Sequence, residues 1–387
     1  MPAVDRLSNL PDVPLLHIMS FLTTKDVVTN TCTLSKRWEN FWTGATCLIF
    51  DSHEFNDDLK FMNFVDNVLA KRQNLNLDTF KLVWNNNTST FEAAESWLAH
   101  AVKAKPRVLI LIISGDDVYL EFSDDVFMCE SLEELKLSTT FSGGFYPLKP
   151  KSVKLNGLKK LEISHDINLD DDFMKKLMGG SPILEELILD CEFEGLSIIS
   201  SQSVKKLILY CHATDKFQIS IPSLLSLYIE NAVPGRISCK NLVSLVEACI
   251  SVDCCLYDGS GTLLNGLSNA EELHFDNISS VAMFEKELPN CPTFYNLKEM
   301  NCHVDSFYPV ARFLQHAPNL EKLTLRYYFE LKCDSYYRHE SDVYFSCEKL
   351  KMVEICYACP EEARDGMKLL SYNEDMPNNV ELKLTRL

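Results

Sequence analysis

The chain has 387 residues, a formal net charge of -18 and a hydrophobic fraction of 46%. That fraction supplies a buried core and excludes the intrinsically disordered class, while an acidic surface repels nucleic-acid phosphates and anionic lipids. No nucleic acid or membrane is therefore expected as a partner. The first ten residues lack an apolar signal-peptide core, and the longest aliphatic run, 108–113, is far shorter than the ~20 residues that cross a bilayer. We expect a cytoplasmic and/or nuclear protein.

Two short helical patterns come first. One covers 13–22, with Asp12 predicted as its cap and apolar residues at helical spacing: Leu15, Ile18, Met19 and Leu22. The other begins near Thr24, the predicted cap, and carries a second apolar stripe: Val27, Val28, Thr31, Leu34 and Trp38. Helices this short are marginal alone and must pack on each other or on a partner. The charges of 1–44 sum to zero, which places a domain boundary near residue 44.

The same residues resemble an F-box, especially its plant form. The match consists of Leu10-Pro11-Asp12, Ile18-x-x-Phe21-Leu22, Thr24-Lys25-Asp26-Val27-Val28 and Leu34-Ser35-Lys36-Arg37-Trp38, in that order. The resemblance implies a three-helix module over 1–44 that docks on the Skp-type adaptor of an SCF ubiquitin ligase. By position, it assigns adaptor contacts to Leu10, Pro11, Ile18, Leu22, Val27, Leu34 and Trp38. The alternative is that such residues form a small internal core, an interpretation that suits Leu15, Val28 and Trp38 at least as well.

Residues 45–130 predict an irregular N-terminal repeat and capping region. Strands are indicated at 47–50, 80–84 and 108–113, and an amphipathic helix at 59–69. A second helix follows Ser89 and Glu92, which have the spacing of a capping box.

Residues 131–346 contain an internal repeat. The template L-x-x-L-x-L recurs, with substitutions, from Leu132 to Leu350 at intervals of 18 to 30 residues. Leucine-rich repeats have a period of ~20–29 residues, and stacking such units buries a continuous core and pairs their strands in parallel. We therefore predict an α/β fold, a leucine-rich-repeat horseshoe with a parallel sheet on its concave face. Helical returns are predicted over 170–178, 281–288 and 307–316.

Residues 347–387 predict a last repeat and a cap. Pro360 fits a helix start, and Val380, Leu382 and Leu384 alternate as in a closing strand. The whole arrangement resembles the plant F-box/LRR-repeat family. Many members end in an FBD domain, which this segment resembles only loosely, so whether it is a true FBD domain stays open.

The predicted substrate surface is the concave face of the sheet. The central residue of each L-x-L points into it, and the middle repeats place apolar residues there. The hypothesis assigns substrate contacts to Ile188, Ile208, Tyr210, Tyr228 and Val246. A contiguous apolar patch with a polar rim is typical of a protein-binding surface. The alternative is that a loop or the C-terminal tail covers this stripe as secondary core.

No motif for catalysis, cofactor or metal stands out. Only one C-x-x-C occurs, Cys356-x-x-Cys359, whereas structural zinc sites need two ligand pairs. Cys302 and His303 are strand neighbours that point to opposite faces, which disfavours a nucleophile pair. The remaining cysteine pattern predicts a packing ladder at one repeat position: Cys191, Cys211 and Cys249.

Some relatives in the family hold an inositol polyphosphate, which requires converging basic side chains. Lys136 is the only basic central residue, although adjoining positions keep this route open: Lys160, Lys206, Lys322 and Arg326. The expectation is a non-catalytic subunit without cofactor. It would recognise an unidentified protein substrate and reach cullin and RING subunits through the adaptor. The alternative is a repeat scaffold without a ligase role, and neither the substrate nor any gating ligand or modification can be read from the sequence.

Overall fold

The computed structural model describes residues 10–34, 36–72, 76–86, 92–115, 122–141, 144–211, 216–232, 236–252, 263–276, 284, 287–304, 307–327, 344–373, 377 and 379–387. The chain forms two compact units, Met1–Glu192 and Phe193–Leu387. Each unit contains parallel strands whose alternate residues are buried, so the predicted α/β class with a parallel sheet is confirmed.

The first unit begins with helices α1 (Asp12–Met19) and α2 (Thr24–Thr29), followed by single 3-10 turns at Thr31–Thr33 and Phe41–Gly44. The third F-box helix that the resemblance implies is thus reduced to short turns in the described residues. Neither predicted cap is correct. Pro11 precedes α1 without a side-chain cap, and the Thr23 side chain, not that of Thr24, accepts the Asp26 N–H. Thr24 is instead buried and accepts the N–H of Ile49 at 2.7 Å.

The rest of the first unit is a parallel sheet with helical returns. The strands are β1 (Cys47–Asp51), β2 (Thr79–Asn86), β3 (Val108–Gly115), β4 (Glu134–Phe141), β5 (Tyr146–Pro147), β6 (Lys160–Asn168) and β7 (Glu186–Glu192). Their order is β1-β2-β3-β4-β6-β7, with β5 added beside β6. The helices are α3 (Asp58–Lys71), α4 (Glu92–Lys103), α5 (Asp124–Phe127) and α6 (Asp171–Gly180).

The predictions for this unit agree well with the structure. Strands and helices lie where the patterns of 45–130 place them, although Ser89 of the proposed capping box is outside the described residues. The predicted return over 170–178 is α6, and its start is set by Asp170, whose carboxylate accepts the Phe173 N–H at 2.9 Å.

The second unit repeats the pattern with two sheets. The main sheet has the order β9-β11-β13-β14-β15-β16-β17-β18, and a three-stranded sheet has the order β12-β10-β8. The bounds are β8 (Ile198–Ser200), β9 (Lys206–Cys211), β10 (Phe217–Ser220), β11 (Ser226–Ala232), β12 (Ile237–Lys240), β13 (Glu247–Val252), β14 (Glu272–Phe275), β15 (Glu299–Val304), β16 (Lys322–Tyr327), β17 (Met352–Tyr357) and β18 (Glu381–Arg386). The short sheet connects consecutive strands of the main sheet, as helices do in the first unit, and it buries Ile199, Ile219 and Ile237.

Among the described residues, this unit also contains the helices α7 (Leu263–Gly266), α8 (Tyr308–Leu314) and α9 (Pro360–Lys368). The return predicted over 307–316 is α8, and Pro360 begins α9 as predicted. Most of the return predicted over 281–288 lies outside the described residues. The closing strand exists as β18, parallel to β17, but Leu382 and Leu384 remain exposed, so it does not bury the apolar face that their alternation predicts.

The strand register corrects one repeat. Tyr228 of β11 pairs with Ile208 on one side and Cys249 on the other, and Cys249 pairs with His274. The central residue of this repeat is therefore Cys249, whereas Val246 precedes the strand and is 40% exposed. The template begins at Leu245 and continues through Ala248 and Ile250, three residues later than predicted, because Ala248 occupies a position that leucine usually fills. Cys249 consequently does not belong to the predicted cysteine ladder.

Candidate functional site

Exposed apolar side chains are concentrated in the N-terminal helices. Phe21 is 75% exposed, and four others remain exposed nearby: Val13, Ile18, Leu22 and Leu34. The other exposed large apolar residues among the described part of the first unit are scattered along a much longer stretch: Leu59, Met128, Phe145 and Ile183. We call Val13, Ile18, Phe21, Leu22 and Leu34 the N-terminal apolar surface. Such a concentration of uncovered apolar area is characteristic of a protein-binding site.

The two sides of α1 explain this exposure. Leu15 and Met19, four residues apart, are buried. Val13 and His17 lie on another helical row, and the His17 ring meets the Phe21 ring edge-on at 4.9 Å. The sequence reasoning did not assign contacts to Val13 or Phe21. The four-residue spacing of Val13, His17 and Phe21, offset from the buried pair, was the available signal.

Arg37 holds the Leu-Pro turn in place. One guanidinium nitrogen donates to the Leu10 carbonyl oxygen at 2.8 Å, and another forms an ion pair with Asp12. The guanidinium also lies 5.7 Å from the centroid of the Phe41 ring. The turn leaves Pro11 exposed and Leu10 half-buried. A single side chain thus ties the end of the N-terminal module to its beginning.

Two predicted adaptor contacts are buried inside the chain. Val27 is 4% exposed and Trp38 is 2% exposed, with the Trp38 ring edge-on to Phe41 at 5.8 Å. Side chains so buried offer almost no area to a partner, so their assignment as direct contacts is corrected: they form the core beneath the exposed residues. Leu10, Pro11, Ile18, Leu22 and Leu34 retain accessible area, and their assignment stays a prediction.

The second candidate surface is the outward face of the main sheet of the second unit. Ile208, Tyr210 and Tyr228 are half-buried there, and the two tyrosine rings are tilted by 55° with centroids 5.9 Å apart. Ile188, another of the five predicted substrate contacts, is half-buried on β7 of the first unit. We call Ile208, Tyr210 and Tyr228 the tyrosine patch.

Carboxylates border the tyrosine patch. The Tyr228 hydroxyl donates to Glu230 at 2.8 Å, and the Cys249 thiol donates to Asp276 at 2.8 Å. Burial raises the pKa of Tyr228, with a further contribution from the bond to Glu230. Burial likewise raises the pKa of the Cys249 thiol, helped by Asp276. Both groups therefore stay protonated near neutral pH, and Cys249 is the opposite of an activated thiolate nucleophile.

In the described part of the chain, Cys302 and His303 do not form a reactive pair. Cys302 is buried while His303 is half-exposed, which confirms that these neighbours point to opposite faces. Burial also raises the pKa of Cys302. Within the described residues, no three His, Cys, Asp or Glu side chains group closely enough to hold a metal ion.

Three of the five basic side chains considered for a polyphosphate are paired with carboxylates of neighbouring strands. Lys136 lies 2.6 Å from Glu162, and Lys322 lies 2.8 Å from Glu299. Lys160 similarly lies 3.3 Å from Glu134. Each of these lysines is thus paired with a carboxylate of its own unit. In the part of the chain that the structure describes, no helix is both long and apolar enough to cross a membrane.

Comparison with known families agrees with this geometry. The F-box domain model matches residues 7–49, the segment that contains the N-terminal apolar surface. A model described as "FBD-associated F-box protein At5g56370, LRR repeats" matches residues 94–249. The chain carries an F-box followed by leucine-rich repeats.

Similar proteins in Arabidopsis thaliana are named as F-box proteins. F-box/LRR-repeat protein At3g62440 is 28% identical over 98% of this chain and 90% of its own length. FBD-associated F-box protein At4g10400 is 28% identical over 83% of this chain and 77% of its own length. F-box protein At4g09920 is 31% identical over 54% of this chain and 66% of its own length. All three relatives are thus named as F-box proteins, and the name of At3g62440 also includes leucine-rich repeats.

Proposed function

We propose that this F-box/LRR chain is the substrate-recognising subunit of an SCF-type ubiquitin ligase. Its F-box binds a Skp-type adaptor and through it the cullin and RING subunits, and its repeat sheet binds a protein target. The observation that supports adaptor binding best is the exposure of Val13, Ile18, Phe21, Leu22 and Leu34 within the segment that matches the F-box model. The proposal includes a cytoplasmic and/or nuclear location, which imaging of a tagged chain tests.

The chain contributes proximity rather than chemistry in this proposal. A target held beside the reactive ubiquitin thioester reacts at a raised effective concentration. This effect requires a rigid connection between the F-box and the repeats that bind the target. The junction between F-box and repeats supports stiffness. Thr24 of α2 accepts the Ile49 N–H of β1, and the Lys25 ammonium contacts the Glu54 carbonyl and lies 4.6 Å from the Phe55 ring centroid. The F-box is therefore packed on the first strand of its unit.

Adaptor binding is tested with the full chain and a purified Skp-type adaptor by titration calorimetry. Phe21→Asp places a charge where an apolar side chain becomes buried, and burying a Phe contributes about 1.5–3 kcal/mol. We expect affinity to fall by at least ~10-fold. Leu10→Ala combined with Pro11→Ala should also weaken binding. Leu59→Asp is the matched control, because Leu59 is equally apolar and 68% exposed but lies on α3 outside the F-box match.

The result separates the receptor from a repeat scaffold without ligase role. Wild-type chain that fails to bind the adaptor contradicts the receptor and leaves the scaffold. Equal loss of binding in Phe21→Asp and Leu59→Asp contradicts the location of the docking surface.

Target binding is tested separately. Ile208→Asp combined with Tyr228→Asp should abolish target capture, because two charges replace the centre of the tyrosine patch. Adaptor binding and the circular dichroism spectrum should be unchanged. Targets are first identified with an adaptor-binding-defective chain, which should retain them. Undiminished binding of such a target to the double variant refutes the assignment of the patch.

A further inference from the structure

The outward face of strands β11, β13, β14 and β15 is strongly acidic. Among described outward residues it carries carboxylates and no lysine or arginine: Glu230, Glu247, Glu272, Asp276 and Glu299. Only Glu299 of these has a described lysine or arginine partner, Lys322 at 2.8 Å. At ~4.8 Å between strands, this acidic strip extends over roughly 14 Å.

Three of the remaining carboxylates accept hydrogen bonds from neutral donors, and the fourth, Glu272, lies 3.9 Å from the His274 imidazole. Glu230 accepts the Tyr228 hydroxyl, Asp276 accepts the Cys249 thiol, and Glu247 accepts the Ser226 hydroxyl. A neutral donor satisfies one lone pair but leaves the negative charge uncompensated. Like charges arranged on adjacent strands repel each other, so this arrangement lowers the stability of the free sheet. A cation placed among them would relieve the repulsion.

The tyrosine patch adjoins the acidic strip. Tyr210 is the direct register partner of Glu230, and Tyr228 is the partner of Cys249, which is bonded to Asp276. Aromatic faces attract guanidinium groups, and arginine also forms forked hydrogen bonds with carboxylates. Both recognition elements for arginine therefore occur within neighbouring strands of one unit.

We propose that this face, formed by Tyr210, Tyr228, Glu230 and Asp276, binds an arginine-bearing segment of the target protein. This inference rests on the proposed function, because it specifies what the repeat surface of the receptor recognises. Charge complementarity excludes an acidic or phosphorylated segment here. A purely apolar segment would leave the carboxylates desolvated without a partner, at a cost that such a segment does not offset.

The test uses the full chain and fluorescein-labelled peptides in fluorescence anisotropy. One peptide carries arginines spaced by glycine and serine, and matched peptides carry citrulline, lysine or glutamate at those positions. Citrulline keeps the shape of arginine without the charge. We expect the arginine peptide to bind at least ~10-fold more tightly than the citrulline peptide, and affinity to fall as salt is raised.

Two double variants with the same change in charge locate the binding. Glu230→Gln with Asp276→Asn should weaken arginine-peptide binding by about 10-fold. Glu92→Gln with Glu95→Gln, on the exposed side of α4, should change it by less than about two-fold.

Tyr210→Leu with Tyr228→Leu should weaken binding by roughly 5- to 30-fold, whereas Tyr228→Phe retains the ring and should have a small effect.

Three results overturn the proposal: equal binding of the citrulline peptide, tighter binding of the glutamate peptide, or equal losses in the two charge variants. The last result would reveal diffuse attraction to an acidic protein. Adaptor affinity is measured on the same preparations. A chain that binds the adaptor but not the arginine peptide overturns only this inference, whereas a chain that does not bind the adaptor overturns the proposed receptor function.

Discussion

Replacing Arg37 tests whether an ordered Leu-Pro turn is required for adaptor binding. Arg37→Ala removes the 2.8 Å hydrogen bond to the Leu10 carbonyl and the ion pair with Asp12. Because the side chains of Arg37 and Asp12 are 37% and 69% exposed, solvent screens the ion pair, which contributes about 0.2–1 kcal/mol. The hydrogen bond adds about 1 kcal/mol. Together they favour the ordered turn by about 1–2 kcal/mol.

If the adaptor binds only the ordered turn, the loss appears directly in affinity. We expect the adaptor Kd of Arg37→Ala to rise by roughly 5- to 30-fold in titration calorimetry, with an unchanged circular dichroism spectrum. Arg37→Lys should be intermediate, because one ammonium cannot reproduce the planar fork that reaches both groups. Lys36→Ala, an exposed neighbour, is the control. An Arg37→Ala chain that binds within two-fold of wild type, while Leu10→Ala with Pro11→Ala binds weakly, would refute the link.

Three further predictions concern stability, each followed by denaturant or thermal unfolding. Gly180→Ala should lower the free energy of unfolding by about 1–3 kcal/mol, because the added Cβ would lie 2.1 Å from the backbone carbonyl oxygen of Val153. Gly179→Ala is the control: its Cβ would meet nothing within 4 Å, so it should be neutral or slightly stabilising. Equal effects of the two substitutions would contradict this packing. Hydrogen bonds from Arg107 and Lys159 lower the pKa of Glu133 from 4.5 to about 2. The contribution of this carboxylate to the stability of the folded chain is therefore complete above about pH 4.5 and disappears as the pH falls towards 2. Glu133→Gln should flatten that acid limb, and an unchanged limb would argue against the pairing. Thr24→Val should lower the free energy of unfolding by about 1–3 kcal/mol, since the half-buried Ile49 N–H loses the hydroxyl of the buried Thr24 as its acceptor. A neutral effect would show that another acceptor replaces the hydroxyl.

The repeat architecture could be predicted because its periodicity is carried by buried leucines, whose spacing the parallel register then repeats. The leucine spacing gave the wrong register at Val246. Because alanine stands at position 248 in place of a leucine, the template was matched to Leu242 and Leu245 instead. The register of this repeat is given by the strand pairing in the structure, in which Cys249 lies opposite Tyr228. A single substitution at a core position can thus shift an assignment by three residues while the overall fold prediction remains right.

The F-box shows a different limit of sequence reasoning. Its motif identifies which residues are apolar, but exposure depends on which side of each helix meets the rest of the unit. Val27 and Trp38 are buried, whereas Phe21 is among the most exposed apolar residues. Thr24 has the residue type and position of a helix cap, yet its hydroxyl accepts an N–H from a strand twenty-five residues away. The contact of Thr24 joins distant segments, so no local pattern contains it, whereas the four-residue spacing of Val13, His17 and Phe21 was a local signal for the exposure of Phe21.

The positions of paired and unpaired carboxylates suggest two separate uses of acidic residues. At the starts of strands, carboxylates form ion pairs with basic side chains of the neighbouring repeats: Glu133 with Arg107 and Lys159 at 2.7 and 3.0 Å, and Glu271 with Lys298 at 2.5 Å. Those pairs join consecutive repeats. Glu230 and Asp276, at the other ends of their strands, have only hydroxyl and thiol donors among the described residues. A lysine or arginine on a neighbouring strand could form an ion pair with either carboxylate. Without such a pair, the repulsion between like charges on adjacent strands lowers the stability of the sheet. Uncompensated charge on a half-buried aromatic face is therefore explained best by a partner that supplies the cation.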